Sequence, residues 1–185
     1  MLRAVVFFGL IAGSFALVYI DGNCPDITPK GPVSLDQIAG DWWAVLRDDN
    51  SWDLDGKCVL AHFDPPVDGV IRARGSRLSA STNDISTIES NVTLSADKVL
   101  EFRHHLPVWG DFDQDQFILD SDPNRYAVVY SCRNYRYRYV EKFWVFARPG
   151  YLNGYYTNGN FLKQVLDRYG LSSPNWVKVD NENCN

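Results

Sequence analysis

Residues 124–132 read NRYAVVYSC, and residues 140–148 read VEKFWVFAR. Both stretches are rich in β-branched and aromatic side chains, which β-strands favour. The turn-forming sequence DSDPN, at residues 120–124, precedes the first stretch. Together they predict two strands of an antiparallel sheet, one over Arg125–Cys132 and one over Val140–Ala147.

Similar β-rich runs, separated by Gly, Pro, Asn, Asp and Ser, extend upstream to residue 41. They predict six further strands: Trp42–Arg47, Lys57–Phe63, Val70–Arg77, Ile85–Thr93, Val99–His105 and Gln116–Leu119. Further downstream, apolar residues at helical spacing predict a helix from Phe161 to Tyr169 that stops at Gly170. A short final strand is predicted at Trp176–Val179. Eight strands at regular spacing indicate an antiparallel sandwich or barrel.

Length and composition indicate one folded domain. The chain has 185 residues, and compact domains contain about 100–200. Hydrophobic residues make up 45% and charged residues 22%, which excludes a disordered or collagen-like chain. The net charge of −5 argues against a nucleic-acid partner, because phosphate binding requires a concentrated basic surface. Aromatic residues, at 14%, predict an aromatic core or a ring-lined cavity.

The first residues have the pattern of a secretory signal peptide over residues 1–16. Met1-Leu2-Arg3 supplies a positive charge, residues 4–12 are apolar, and Ser14-Phe15-Ala16 fits a cleavage site. Cleavage is expected after Ala16, or as late as about residue 22. We expect the single folded domain to cover residues 23–185. A membrane anchor is the alternative, but glycines interrupt a run shorter than the about 20 apolar residues needed. We therefore expect a secreted, extracellular protein without a membrane span.

The four cysteines, Cys24, Cys58, Cys132 and Cys184, lie far apart and form no zinc-binding motif. In a secreted protein, an even number of separated cysteines indicates two disulfides, and three pairings are compatible with four cysteines. Asn91-Val92-Thr93 is a sequon, which predicts N-glycosylation at an exposed Asn91. Both features agree with the expected secretion.

Three sequence blocks resemble those of the lipocalin family. Gly40-Asp41-Trp42 resembles the G-x-W motif, residues 124–132 resemble the second block, and Phe143–Arg148 resembles the third. Residues 130–135 and Tyr139 are most similar to crustacyanin-type lipocalins, in the branch with apolipoprotein D and bilin-binding proteins. One departure is the sequence DPNR at residues 122–125, where the family has Thr-Asp-Tyr. It changes the turn chemistry and leaves the fold assignment intact.

The resemblance implies a fold and several structural contacts. It implies an eight-stranded, up-and-down antiparallel barrel with one C-terminal helix and a short final strand. It implies disulfides between Cys24 and Cys132 and between Cys58 and Cys184. It also implies that Arg148 lies across Trp42 at the closed end of the barrel, a structural contact of cation–π type.

The resemblance further implies a carrier of a small hydrophobic ligand, with no catalytic cofactor. A carotenoid or similar pigment is favoured, and a noncovalent bilin, a retinoid, a sterol or a fatty acid is the alternative. An enzyme acting on such a ligand is less favoured, because the sequence has no G-x-S-x-G or H-E-x-x-H motif and the disulfides leave no cysteine nucleophile. We therefore expect no enzymatic activity. The resemblance leaves open whether the protein assembles into homo- or hetero-oligomers of lipocalin subunits.

Strand alternation predicts the ligand-binding residues. If Arg148 points into the barrel, the side chains two and four residues earlier also point inward, because alternate residues share a face. The same argument on the second and fifth strands completes the proposed set: Phe63, Phe102, His104, Tyr130, Trp144 and Phe146. The alternative is that these rings fill a closed core. His104 has two alternative roles: its ring donates a hydrogen bond to a polar ligand group, or it is hydrogen-bonded within the protein.

Two polar motifs indicate other functions more weakly. Asp111, Asp113 and Asp115 have calcium-loop spacing, but Gln116 replaces the required glycine, so we expect an acidic loop at the barrel mouth and no metal. Residues 135–139, YRYRY, alternate rings and cations as single-stranded nucleic-acid binders do. In an acidic secreted protein, an exposed hairpin or a subunit interface is the better interpretation.

Overall fold

The computed structural model describes residues 18–29, 33–50, 55–107 and 110–184. The predicted signal peptide lies outside the described residues. The strands are β1 (Ile20–Asp21), β2 (Gly40–Asp48), β3 (Gly56–Phe63), β4 (Ile71–Ser79), β5 (Ile85–Leu94), β6 (Leu100–Leu106), β7 (Gly110–Asp122), β8 (Tyr126–Tyr135), β9 (Arg138–Ala147) and β10 (Trp176–Lys178). The helices are α1 (Leu35–Ile38) and α2 (Gly159–Asp167), and a 3₁₀ turn lies at Tyr155–Thr157.

Strands β2 to β9 form a closed antiparallel barrel. Each strand pairs with the next in sequence, and β9 pairs back with β2, where Ala147 lies opposite Trp43. Strand β10 pairs with β2, and β1 pairs with β9. This up-and-down order confirms the predicted eight-stranded barrel with one C-terminal helix and a final strand. The sheet begins at Ile20, upstream of the predicted domain start at residue 23.

Strand β7 differs most from the sequence prediction. The sequence predicts a strand only at Gln116–Leu119, but β7 extends from Gly110 to Asp122. Asp111 and Asp113 are exposed on its outer face, where Arg103 of β6 forms ion pairs with both. The predicted acidic loop was therefore wrong. Cross-strand ion pairs accommodate the acidic residues within a strand, as opposite charges on neighbouring strands do generally.

Helix α2 packs against the outside of the barrel. The side chain of Asn158 caps its start by accepting a hydrogen bond from the N–H of Asn160 (2.8 Å). Gly170, with φ +68°, follows its end, and the N–H of Leu171 donates to the carbonyl of Leu166, as in a Schellman motif. The predicted stop at Gly170 is confirmed. The helix buries Leu162, Val165 and Leu166 in one cluster with the barrel residues Val128, Tyr130, Phe143 and Val145.

Trp42 and Arg148 close one end of the barrel. The guanidinium carbon of Arg148 lies 3.8 Å from the centroid of the Trp42 ring, as predicted. Arg148 also donates hydrogen bonds to the carbonyl oxygens of Gln37 and Pro123, both at 2.9 Å. One side chain therefore joins the segment before β2 to the β7–β8 turn. Gly40 permits this packing, because its φ is +94° and a Cβ there would lie 3.0 Å from Arg148.

The two disulfides attach the chain ends to the barrel. Cys24 is bonded to Cys132 of β8, and Cys58 of β3 is bonded to Cys184. The pairing implied by the resemblance is confirmed. The bonded residues are 108 and 126 positions apart. For loops of this size, the chain-entropy model allows a stabilisation of up to about 5 kcal/mol for each bond.

Replacing Trp42 with alanine will lower the free energy of unfolding by about 3–5 kcal/mol. The change removes a buried ring, the stack on Arg148 and a hydrogen bond from Trp42 Nε1 to the carbonyl of Ile38 (2.7 Å). Urea unfolding followed by circular dichroism measures the loss. Trp43→Ala is the matched control, because Trp43 is only partly buried and faces outward. Equal losses in the two variants would contradict the role assigned to Trp42.

Candidate ligand-binding cavity

A cavity of about 920 Å³ occupies the barrel interior. It extends from Ile38 and Trp42 at the closed end to the mouth, which we define as the end lined by Arg77, Arg133 and Tyr135. Its volume lies within the range of about 300–1,000 Å³ that is typical of small-molecule pockets. The aromatic residues therefore line an open space and do not fill a closed core.

The part of the cavity next to the closed end is apolar and aromatic. One buried cluster here consists of Trp42, Ala127, Val129 and Trp144, with Phe63 and Phe146 packed against it. The rings of Phe63 and Phe102 meet edge to face, with centroids 6.2 Å apart. The ring of Phe102 in turn stacks on that of His104, with centroids 5.5 Å apart. This wall offers ring faces and edges to an apolar ligand.

Five of the predicted ligand-binding residues line the cavity: Phe63, Phe102, His104, Trp144 and Phe146. Along β6, buried and exposed residues alternate, so that Leu100, Phe102 and His104 share the inner face. On β9, Trp144 and Phe146 lie on the same face as Arg148, as the alternation requires. Contact of these five residues with a ligand stays a prediction.

The sixth predicted residue, Tyr130, lies outside the barrel, so its assignment to the cavity wall was wrong. Its ring packs against Phe143 and Phe117, with centroids 5.0 and 6.1 Å away. It belongs to the cluster beneath α2. The physical reason is alternation, because the neighbouring Val129 and Ser131 take the inward positions. The register agrees, since Tyr130 pairs with the outward-facing Phe143, which alternates with the inward-facing Trp144.

The cavity wall also contains residues that the sequence analysis did not name. They are mainly polar or charged and lie toward the mouth: Arg77, Ser90, Phe112, Gln114, Ser131, Arg133 and Lys142. A signal for part of this set was present in the sequence DFDQDQF at residues 111–117. Strict alternation there separates Phe112, Gln114 and Gln116 from the aspartates. Interpreting the aspartates as a loop concealed that pattern.

A hydrogen-bonded chain of side chains crosses four neighbouring strands of the inner wall. Ser90 Oγ lies 2.7 Å from His104 Nδ1, and His104 Nε2 lies 2.9 Å from Gln114 Oε1. Gln114 Nε2 donates to Ser131 Oγ at 3.1 Å. An amide oxygen only accepts, so neutral His104 carries its hydrogen on Nε2 and accepts from Ser90 at Nδ1. Both ring nitrogens are thus bonded within the protein, which favours a structural role for His104.

The three histidines have different electrostatic surroundings. Burial lowers the pKa of His104, and the hydrogen bond that its ring donates to Gln114 only partly opposes this effect. His62 lies on the outer surface, where hydrogen bonds to Asp41 and Asp64 raise its pKa, Asp41 having the larger effect. His105 points to the opposite face from His104 and contacts Asp111 at 2.7 Å. The two rings of the His104-His105 pair therefore cannot bind one metal ion.

The remaining motifs lie on the outer surface. Among the described residues, no group of three or more His, Cys, Asp or Glu is arranged to hold a metal ion. Residues 135–139 span the turn of the β8–β9 hairpin, where Tyr137 is 87% exposed. The hairpin prediction is confirmed, and a role in a subunit interface stays a prediction. Asn91 is exposed on β5, as a glycosylated residue must be.

The barrel and its sequence are similar to those of known proteins. The chain is 24% identical to apolipoprotein D of Cavia porcellus over 181 residues, covering 95% of this chain and 92% of the relative. It is 25% identical to the bilin-binding protein of Pieris brassicae over 177 residues, covering 94% and 89%. The structure matches apocrustacyanin C1 with a TM-score of 0.73 at 16% identity, covering 89% and 92%. No family model matches the chain.

The chain has the lipocalin fold. The resemblance carried by the three sequence blocks is thereby confirmed. In this lipocalin barrel, the first block begins β2 at the closed end, the second forms most of β8, and the third ends β9. In the described parts of the chain, no helix is long and apolar enough to cross a membrane.

The departure from the lipocalin pattern at residues 122–125 forms the β7–β8 turn. Asp122 Oδ1 accepts a hydrogen bond from the N–H of Asn124 (3.0 Å), and the carbonyl of Asp122 accepts one from the N–H of Arg125 (2.8 Å). Pro123 supplies the carbonyl that Arg148 contacts. The altered turn therefore retains its contact with the closed end of the barrel.

In an NMR titration, the ring of His62 will protonate at a higher pH than the ring of His104. A hydrogen bond to Asp41 raises the pKa of His62, and burial lowers the pKa of His104.

His104 also makes stability depend on pH, because below its ordinary pKa of 6.5 the unfolded chain binds a proton that the folded chain does not. This contribution to stability is therefore highest above pH 6.5, the pKa of the ring in the unfolded chain, and it is lost as the pH falls toward the lower pKa that His104 has in the folded protein.

Urea unfolding at about pH 7.5 and about pH 5.5 measures this loss, by at most about 1.4 kcal/mol per pH unit. In His104→Gln, the loss on acidification will be smaller than in the unmodified protein. The His62 contribution has the opposite sign and is common to both proteins, so it cancels in the comparison. An unchanged pH dependence in His104→Gln, or protonation of His104 before His62, would rule out the buried neutral ring.

Proposed function

We propose that the protein is an extracellular carrier that holds a small hydrophobic molecule in the barrel cavity without chemical conversion. The observation that carries this proposal is the cavity of about 920 Å³ with an aromatic wall at its closed end. Because Trp42 and Arg148 block that end, a ligand enters from the mouth and places its apolar part deepest.

Burial of apolar surface is sufficient for useful affinity. At about 25 cal/mol per Å², covering some 400 Å² of ligand yields roughly 10 kcal/mol before the cost of immobilising the ligand. No reaction is needed for this binding. The relative named bilin-binding protein, similar over most of its length, is named for the same kind of activity.

We infer that the ligand is a carotenoid or a similar extended pigment. The resemblance of residues 130–135 to crustacyanin-type lipocalins supports this class, and so do the ring faces of Phe102 and Trp144 in the wall. A bilin, a retinoid, a sterol or a fatty acid is the alternative. All four cysteines form disulfides, so a bilin would be held noncovalently.

Secretion and glycosylation belong to the same proposal. Two disulfides are typical of proteins in oxidising compartments, and the exposed Asn91 lies in a sequon. Assembly with other lipocalin subunits would use exposed surfaces, such as the β8–β9 hairpin. Mass spectrometry of the secreted protein tests both the N-terminus after Ala16 and the sugar on Asn91.

A hydrolase is the second candidate, because Ser90, His104 and Gln114 form a chain like that of a serine nucleophile, its base and an orienting group. The third member argues against it. A neutral amide does not stabilise an imidazolium as a carboxylate does, and burial already disfavours the charged ring. Recovery of ester ligands unchanged after long incubation would exclude this alternative.

Replacing Trp144 with leucine will weaken binding of a conjugated ligand about 2- to 10-fold, because stacking on an aromatic face contributes about 0.5–1.5 kcal/mol. Astaxanthin and biliverdin are the probes, and oleate is the unconjugated comparison. Their binding is followed by quenching of tryptophan fluorescence and by absorption spectra. Trp43→Leu is the matched control, because Trp43 lies outside the cavity wall.

The two conjugated probes should quench the unmodified protein and Trp43→Leu equally. In Trp144→Leu, part of the quenching should disappear, and the melting temperature should stay close to that of the control. If Trp144→Leu binds all three probes as tightly as the unmodified protein, the ligand does not contact this wall.

A further inference from the structure

The charged side chains at the inward-facing positions of the cavity wall are opposite in sign to the net charge of the protein. The chain has a net charge of −5. Among the described cavity-lining residues whose strand position faces inward, the charged ones are Arg77 on β4, Arg133 on β8 and Lys142 on β9. All three are cations, and all lie nearer the mouth than the aromatic cluster. An acidic protein thus places positive charges at the inward-facing positions near the mouth of its cavity.

Three aspartates of β7 also border the cavity, but their strand positions face outward. Asp111, Asp113 and Asp115 alternate with the inward-facing Phe112 and Gln114, so they lie on the outer face of β7. Asp111 and Asp113 are paired there with Arg103. Their carboxylates are therefore directed away from the inward-facing cations.

Two further aspartates lie closer to the cations. Asp48 is near Lys142, but its buried carboxylate already accepts hydrogen bonds from the backbone N–H groups of Phe143 and Asn50. Asp55 is near Arg77 and accepts hydrogen bonds from the hydroxyl of Ser79 at the end of β4. Arg133 has the ring of Tyr135 as its neighbour, with its guanidinium 5.7 Å from the ring centroid. Arg133 is thus associated with a ring, and among the described residues it forms no ion pair with a carboxylate.

Lys142, Arg133 and Ser131 form a compact polar corner. Ser131 lies directly opposite Lys142 in the β8–β9 ladder, and Arg133 is the next inward residue on β8. Diagonal neighbours on one face of a sheet are about 7–8 Å apart, which long side chains span easily. Ser131 accepts its hydrogen bond from Gln114, so its own hydroxyl hydrogen can be donated to another acceptor. Two cations and one hydroxyl donor are a suitable set for a carboxylate.

We propose that this corner, Ser131, Arg133 and Lys142, binds the anionic head group of an amphiphilic ligand whose apolar part fills the aromatic end of the cavity. The ligand class is therefore a hydrophobic chain or ring system that ends in a carboxylate. This inference rests on the proposed carrier function and, among its candidate ligands, favours those that carry a carboxylate, such as a bilin or a fatty acid, over a neutral carotenoid. Arg77, on β4, adds to the positive potential at the mouth.

Matched ligands that differ only in the head group test this inference. Retinoic acid and retinol are one pair, and oleic acid and oleyl alcohol are the other. In low salt, the unmodified protein should bind each acid at least about tenfold more tightly than its alcohol, because charge-assisted hydrogen bonds are the stronger kind. The preference should decrease as salt is added, since ions screen partly exposed charges.

The double variant Arg133→Gln/Lys142→Gln should bind the alcohols as the unmodified protein does and lose most of the preference for the acids. Arg72→Gln is the control, because Arg72 is an exposed cation on the outer face of β4 and should leave the preference unchanged. Equal affinity of the unmodified protein for acid and alcohol overturns the inference while the carrier function stands. A preference that survives in the double variant also overturns it. If neither member of a pair binds, the carrier proposal fails first.

Discussion

The stack of Arg148 on Trp42 is the contact on which the organisation of the cavity depends. It blocks one end of the barrel and so assigns the other end as the mouth. Because Arg148 is the last inward side chain of its strand, it also fixes which residues of β9 face the interior. The same guanidinium joins the segment before β2 to the β7–β8 turn. The position of Arg148 thereby decides which end of the barrel is open and which side chains of β9 point into the cavity.

The two faces of β8 and β9 serve different purposes. Outward residues such as Tyr130 and Phe143 lie in the core beneath α2, and inward residues such as Val129 and Trp144 line the cavity. The barrel therefore does not have to fill its interior in order to be stable, because much of its apolar burial takes place between barrel and helix. A protein with this division can leave a space for a ligand where other small domains place their core.

Along its length, the cavity changes from aromatic at the closed end to polar and cationic near the mouth. The chain from Ser90 through His104 and Gln114 to Ser131 lies between these parts. Each member of that chain has a hydrogen-bond partner within it, so the wall carries polar groups without a large desolvation penalty. Such a gradient suits a molecule that is apolar over most of its length and polar at one end.

The sequence by itself determined seven of the eight barrel strands and part of β7, the final helix with its stop at Gly170, and the facing of β6. These features follow from periods of two and 3.6 residues and from turn and capping residues, all of which are local. The disulfide pairing and the contact between Trp42 and Arg148 came from the resemblance to lipocalins, and the facing of β9 was inferred from that contact. Only the tertiary structure showed that the acidic residues 111–115 belong to a strand, because Arg103 of the neighbouring strand pairs with them. It alone placed Tyr130 beneath α2 and brought Ser131, Arg133 and Lys142 together, since the register between strands is set by closure of the barrel and not by any one segment.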